Sequence, residues 1–99
     1  MVVSITVDSS AASELGFPAS MASGSLELSE GSTAYDALAA TGLPLEGSSS
    51  YVSAINGLAE KMLGAGSGWT YTVNGTMPMT AASNYRLNDG DDLRWIYVR

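Results

Sequence analysis

The chain contains no cysteine and no histidine. Without thiols it can form neither a disulfide nor a thiolate metal site. Without imidazole it lacks the usual general base, the commonest transition-metal ligand and the near-neutral pH switch. Basic residues are scarce as well. Lys61, Arg86, Arg94 and Arg99 stand against ten carboxylates, and the formal net charge is −6. The four do not cluster, so nucleic acid and anionic membrane are not expected partners. No apolar run approaches the roughly 20 residues needed to span a bilayer, so membrane insertion is not expected either. Met1-Val2-Val3 leads directly into a strand pattern, with no basic segment and no small-residue cleavage site, and does not read as a signal peptide.

What is present suits one domain over residues 1–99. The hydrophobic content is 45% and the charged content 14%. A chain of this length buries roughly 60–70% of its extended surface, enough for a core without metals or disulfides. Catalysis is not expected. Serines are plentiful, but none has a histidine to activate it, and Lys61 lies in no recognisable serine–lysine motif. Asp89, Asp91 and Asp92 gather in Asn88-Asp89-Gly90-Asp91-Asp92, which ends without the glutamate of a calcium loop and reads as a solvated turn. No catalytic residue and no metal ligand are therefore assigned.

Hydrophobic periodicity sets out the elements. Val3, Ile5 and Val7 alternate with polar neighbours in a strand over Val2 to Asp8. Ser9 to Gly24 reads as a long loop pinned by Leu15 and Phe17, and Ser25 to Ser29 as a second strand. Thr33 with Asp36 forms a capping-box pattern, Ala34 to Thr41 a short helix with Ala34, Ala37 and Leu38 on one face, and Gly42 its C-terminal stop. Leu43 to Ser50 reads as a loop, Tyr51 to Ile55 as a strand, Asn56-Gly57 as a turn and Leu58 to Met62 as a helical turn. Leu93, Trp95 and Tyr97 share one face of a last strand. Two strands, a helix and further strands indicate the α+β class: a mixed sheet with one main helix packed on one face.

The most informative segment runs from Ser67 to Gly75. Its alternation ends in Asn74-Gly75, the signal of a type I′ hairpin turn. It also places Trp69 and Tyr71 on one face of a strand. They serve either as core aromatics or as a partly exposed shelf for a flat ligand, and the pattern allows both. Trp95 and Tyr97 repeat the spacing. Asn74-Gly75-Thr76 also fits an N-glycosylation sequon, a match that would be accidental in a bacterial protein. Met62, Met77 and Met79 offer an adaptable apolar patch, and Pro78 blunts an edge.

Four segments in order resemble the transcobalamin-like C-terminal domain, the DUF4430 family: Gly31 to Leu38, Tyr51 to Glu60, Ser67 to Gly75 and Tyr85 to Trp95. The resemblance implies a β-grasp-like fold. It further implies a non-enzymatic, extracellular or cell-wall-associated bacterial module beside other domains of a longer parent protein. In animal cobalamin carriers the related domain supplies half of the vitamin site and a helical barrel the other half. The positions that lean on the corrin there correspond to Trp69, Thr70 and Tyr71, with an amide residue where this chain has Thr70. The implied ligand is a corrinoid such as cobalamin, or another small molecule, and no cofactor is required. The alternative is an adhesion or spacer module engaging protein partners through a sheet edge. Many bacterial relatives carry cysteines at the positions of Ser9, Leu63, Ala82 and a residue near Arg99. An apolar contact between Leu63 and Ala82 is therefore expected here.

Overall fold

Strand β1 (Val2–Asp8) turns Val3, Ile5 and Val7 inward, each 3% exposed or less, and its other side chains outward. In the computed structural model, which describes Met1 to Arg99, β1 is the heart of a mixed sheet. It pairs antiparallel with β2 (Ser20–Glu27) and parallel with β7 (Asp92–Val98), and β7 pairs antiparallel with β6 (Gly68–Val73). The order β2-β1-β7-β6 sets the first and last strands of the chain side by side, the β-grasp arrangement.

The helix α1 (Ala34–Ala40) covers the inner face through Ala34, Ala37 and Leu38, which join Ile5, Leu93 and Trp95 in the main core. A seven-residue helix is too short to hold by propensity. Its N-terminus is fixed by the capping box that the sequence predicts. The Asp36 amide donates to Thr33 Oγ1 at 3.1 Å, and the Thr33 amide donates to Asp36 Oδ2 at 2.9 Å. Gly42 follows at φ 79°, a left-handed position that suits glycine.

The middle of the chain departs from expectation and builds a second sheet. The segment expected as a loop contains β3 (Leu45–Gly47), which pairs with β4 (Val52–Ile55). Leu58 and Ala59 form strand β5 rather than a helical turn, because Asn56 and Gly57 take φ 49° and 85° and return the chain as a two-residue hairpin. The second strand also starts earlier than its pattern suggests, at Ser20 rather than Ser25. Its serines favour loops, but pairing along all of β1 overrides that preference. The long-loop reading of Ser9 to Gly24 is corrected accordingly. A 3₁₀ turn over Ser10–Leu15 is anchored by Ala12, whereas Leu15 is 41% exposed.

The expected contact between Leu63 and Ala82 is absent. Leu63 packs with Ala12, Leu58 and Tyr97 in a small second cluster, while Ala82 belongs to the main core.

Candidate functional site

Alternation along β6 decides which of its side chains reach the site. Tyr71 and Val73 are buried, and Trp69 is half-buried on the same face. Thr70 points to the opposite face, where its hydroxyl is buried without a hydrogen-bond partner. The structure thus brings Trp69 and Tyr71 together and sets Thr70 apart from them.

The hairpin that follows is as expected. Asn74 and Gly75 take φ 53° and 84°, which type I′ geometry requires of both central residues. Asn74 is also tied to the turn before β7. Its Nδ2 donates to Asp91 Oδ1 at 3.0 Å, and the Asp92 amide donates to its Oδ1 at 2.9 Å. Asp91 Oδ2 accepts the Asn88 amide, and Asp89 accepts the Val2 amide. The carboxylates of this acidic turn are thus already engaged, Asp91 within the turns, Asp89 on β1, and Asp92 on the Ser4 hydroxyl and Arg94.

Trp69 and Tyr71 line a cavity of about 120 Å³. Trp95 forms a further wall, Tyr51, Val52, Ala81 and Ala82 contribute the rest of the apolar lining, and Ser49 and Ser50 the polar part. The aromatic rings are held in set positions. Tyr71 stacks on Trp95 at a centroid distance of 5.3 Å and meets the Tyr85 ring edgewise at 6.3 Å. The Tyr71 hydroxyl donates to the Thr80 carbonyl at 2.6 Å, and burial, with a smaller contribution from Tyr85, pushes its pKa up. The Trp69 Nε1 donates to the Leu58 carbonyl at 2.8 Å, and its ring meets Tyr97 edge-on at 5.3 Å.

Two features of the lining distinguish it from ordinary core. Trp95 is 3% exposed, yet its Nε1–H has no hydrogen-bond partner. A buried donor left in this way costs about 1–3 kcal/mol. At the rim, Tyr51 is 59% exposed and donates its hydroxyl to Glu60, a hydrogen bond that raises the Tyr51 pKa. The return segment after the hairpin, which supplies Ala81 and Ala82 to the lining, also carries Met77 and Met79, 56% and 101% exposed.

Spacing alone pointed to Trp69, Tyr71 and Trp95. Tyr51 escaped notice, because its only signal is an aromatic residue following a serine run. Tyr97, at the same spacing as Trp95, goes elsewhere: its hydroxyl donates to the Ala59 carbonyl at 2.7 Å beneath β5.

The fold has a solved counterpart. A protein of Ruminococcus gnavus, described as "a putative metal binding protein", aligns with a TM-score of 0.69 at 12% identity, covering 99% of this chain and 96% of the other. No curated protein matches the chain. The family model described as "Domain of unknown function (DUF4430)" matches residues 31–99, which hold the helix, the second sheet, the aromatic strand β6 and β7. The chain belongs to the DUF4430 family.

Proposed function

We propose that this domain is a non-enzymatic binding module of a longer extracellular protein, and that its site is the aromatic cavity walled by Trp69, Tyr71 and Trp95. The observation that carries this reading is a concave, mostly apolar lining, with Ser49 and Ser50 beside the aromatic residues, that includes Trp95, whose buried Nε1–H has no hydrogen-bond partner. Such a lining favours a flat or aliphatic group that carries few polar atoms into the cavity.

Size narrows the ligand further. Complete small-molecule sites enclose roughly 300–1,000 Å³. A cavity of about 120 Å³ admits a projecting group and leaves the body of the ligand outside. This is the geometry of half a site, with the second wall supplied by another domain. A corrinoid such as cobalamin fits the description, because its peripheral amide arms present carbonyl acceptors around a flat ring. Trp69 and Tyr51 at the rim would meet the ring, and an arm entering the cavity would lie against Tyr71 and Trp95. Thr70 takes no part in this arrangement. The metal in the description of the Ruminococcus gnavus protein is not carried over, since no three carboxylates of this chain converge.

Titration with cyanocobalamin, followed by its visible absorbance and by tryptophan fluorescence, tests the reading. Saturable quenching is expected in the micromolar range, weakened by Trp95→Phe, which alters one wall of the cavity. If neither signal changes at high micromolar ligand, the corrinoid assignment fails for the isolated domain.

A further inference from the structure

β2 is an outer strand of the four-stranded sheet, with β1 on one side and no strand on the other. Its pairing shows which peptide groups are unused. The Met1 amino group donates to the Leu28 carbonyl at 2.7 Å, and the Leu28 amide donates to the Met1 carbonyl at 2.8 Å. Hydrogen-bonded pairs recur at every second residue of an antiparallel ladder. In the observed register they are Val3 with Leu26, Ile5 with Gly24 and Val7 with Ala22. The N–H and C=O groups of Ser23 and Ser25 therefore point away from the sheet.

Along its middle this edge has little of the usual protection. It contains no proline and no lysine, and its pairing is irregular only at the Val7/Asp8 end. Behind it lies a cleft of about 200 Å³ between β2 and the last turn of α1. Ile5, Ala22 and Leu26 supply apolar lining, and Ala40 and Thr41 stand on the helix side. Gly24, opposite Ile5, faces the cleft with no side chain to fill it. A free edge beside a groove is what strand addition requires. Main-chain hydrogen bonds hold the added segment, and alternate side chains enter the groove.

Charge selects the occupant. β1 and β2 carry no lysine or arginine, whereas Glu27 ends β2 and Asp8, with Arg94 of β7 nearby, stands opposite Ser20 at its start. A second copy pairing antiparallel through β2 would bring the Glu27 end of one chain against the Asp8 end of the other, with a net charge of −6 on each. It would also offer Gly24 to the middle of the groove, where a side chain is needed. We propose that the β2 edge and its cleft dock an extended segment of a partner protein, one aliphatic side chain entering beside Gly24 and lysine or arginine flanking it. The site is separate from the aromatic cavity and independent of the corrinoid reading.

A synthetic ten-residue peptide alternating valine with lysine and threonine probes this site, with the glutamate-for-lysine peptide as comparison. In ¹⁵N-resolved NMR the basic peptide should shift amides of β2 and the end of α1 while leaving both indole signals unchanged. Exchange of the Ser23 and Ser25 amides should slow by about tenfold or more. Ser23→Pro removes one outward donor, is tolerated at an edge and should abolish binding. Ala40→Phe closes the cleft from an exposed helix position and should do the same without touching the strand. The proposal is overturned if the basic peptide causes no shift at millimolar concentration, if the acidic peptide binds equally, or if Ala40→Phe binds undiminished. It is also overturned if β2 amides become protected with protein concentration alone, which would mean self-pairing.

Discussion

Trp69 and Tyr97 fasten β5 to the main sheet, and Trp69→Phe measures the strength of that fastening. Their side chains donate to consecutive carbonyls, Leu58 at 2.8 Å and Ala59 at 2.7 Å, and their rings touch edge-on. Tyr97 is 2% exposed, and its hydroxyl also lies 3.1 Å from Ser67 Oγ. Trp69→Phe keeps an aromatic face against Tyr97 but removes the donor to Leu58. The loss of one part-buried hydrogen bond is worth about 1–2 kcal/mol. For a chain of this length that lowers Tm by roughly 5–15 °C. Tyr97→Phe deletes a bond of the same kind and should cost a similar amount. Because both bonds hold one two-residue strand, the double variant should lose less than the sum. A coupling of about 0.5 kcal/mol or more is expected between contacting residues. Thermal and urea denaturation followed by far-UV circular dichroism read all four proteins with one probe. A Trp69→Phe shift below about 2 °C, or strict additivity of the two losses, would refute the strut. The same cycle bears on the cavity, because β5 leads into Glu60, which holds Tyr51 at the rim.

Three further outcomes follow from local geometry. Gly47 sits at φ 98°, and a Cβ there would meet the Ser53 amide nitrogen at 2.8 Å and the Tyr51 carbonyl oxygen still closer; Gly47→Ala should cost about 2–4 kcal/mol in denaturant melts and displace Tyr51. Asn56-Gly57 and Asn74-Gly75 are equivalent turns, but only Asn74 has its side-chain amide held, by Asp91 and Asp92. On storage at alkaline pH, peptide mapping should find deamidation at Asn56 well before Asn74, and equal rates would refute the protective role of those bonds. The Ser10 hydroxyl and amide both donate to Asp8, and these bonds, more than the nearby Arg94, lower its pKa below 3.8. Folding then binds the proton more weakly than unfolding, so the Asp8 contribution is complete above pH 3.8 and lost as pH falls through the lower folded value. Ser10→Ala should raise the Asp8 titration midpoint in NMR, and an unchanged midpoint would rule out the hydrogen bonds as the cause.

Local chemistry made much of the architecture legible. The alternation in β1 and β7, the capping box of Thr33 and Asp36 and the Asn74-Gly75 turn each depend on a few neighbouring residues, and each appears where its pattern lies. The aromatic strand was equally plain. Its period of two put Trp69 and Tyr71 on one face and should also have set Thr70 apart; only the likeness to a family grouped the three. The parts misread from sequence are those that long-range pairing decides. A serine-rich stretch became β2 because β1 offered a complete ladder. Leu58 and Ala59 became a strand because a tight hairpin returned them to β4. A two-residue strand and a run of serines have no periodicity to announce themselves.

From its own residues, then, the chain determined its class, its helix, its principal turns and the shared face of Trp69 and Tyr71. Tertiary structure alone decided what those aromatics do. Tyr71 is closed into the core against Trp95, while Trp69 remains half-buried with its Nε1–H drawn to Leu58, eleven residues away. It likewise left the Trp95 Nε1–H unanswered and the outward groups of β2 unpaired. Period and propensity place a side chain on a face. Whether that face is sealed, half-open or wanting a partner depends on segments far away in sequence, and therefore on packing.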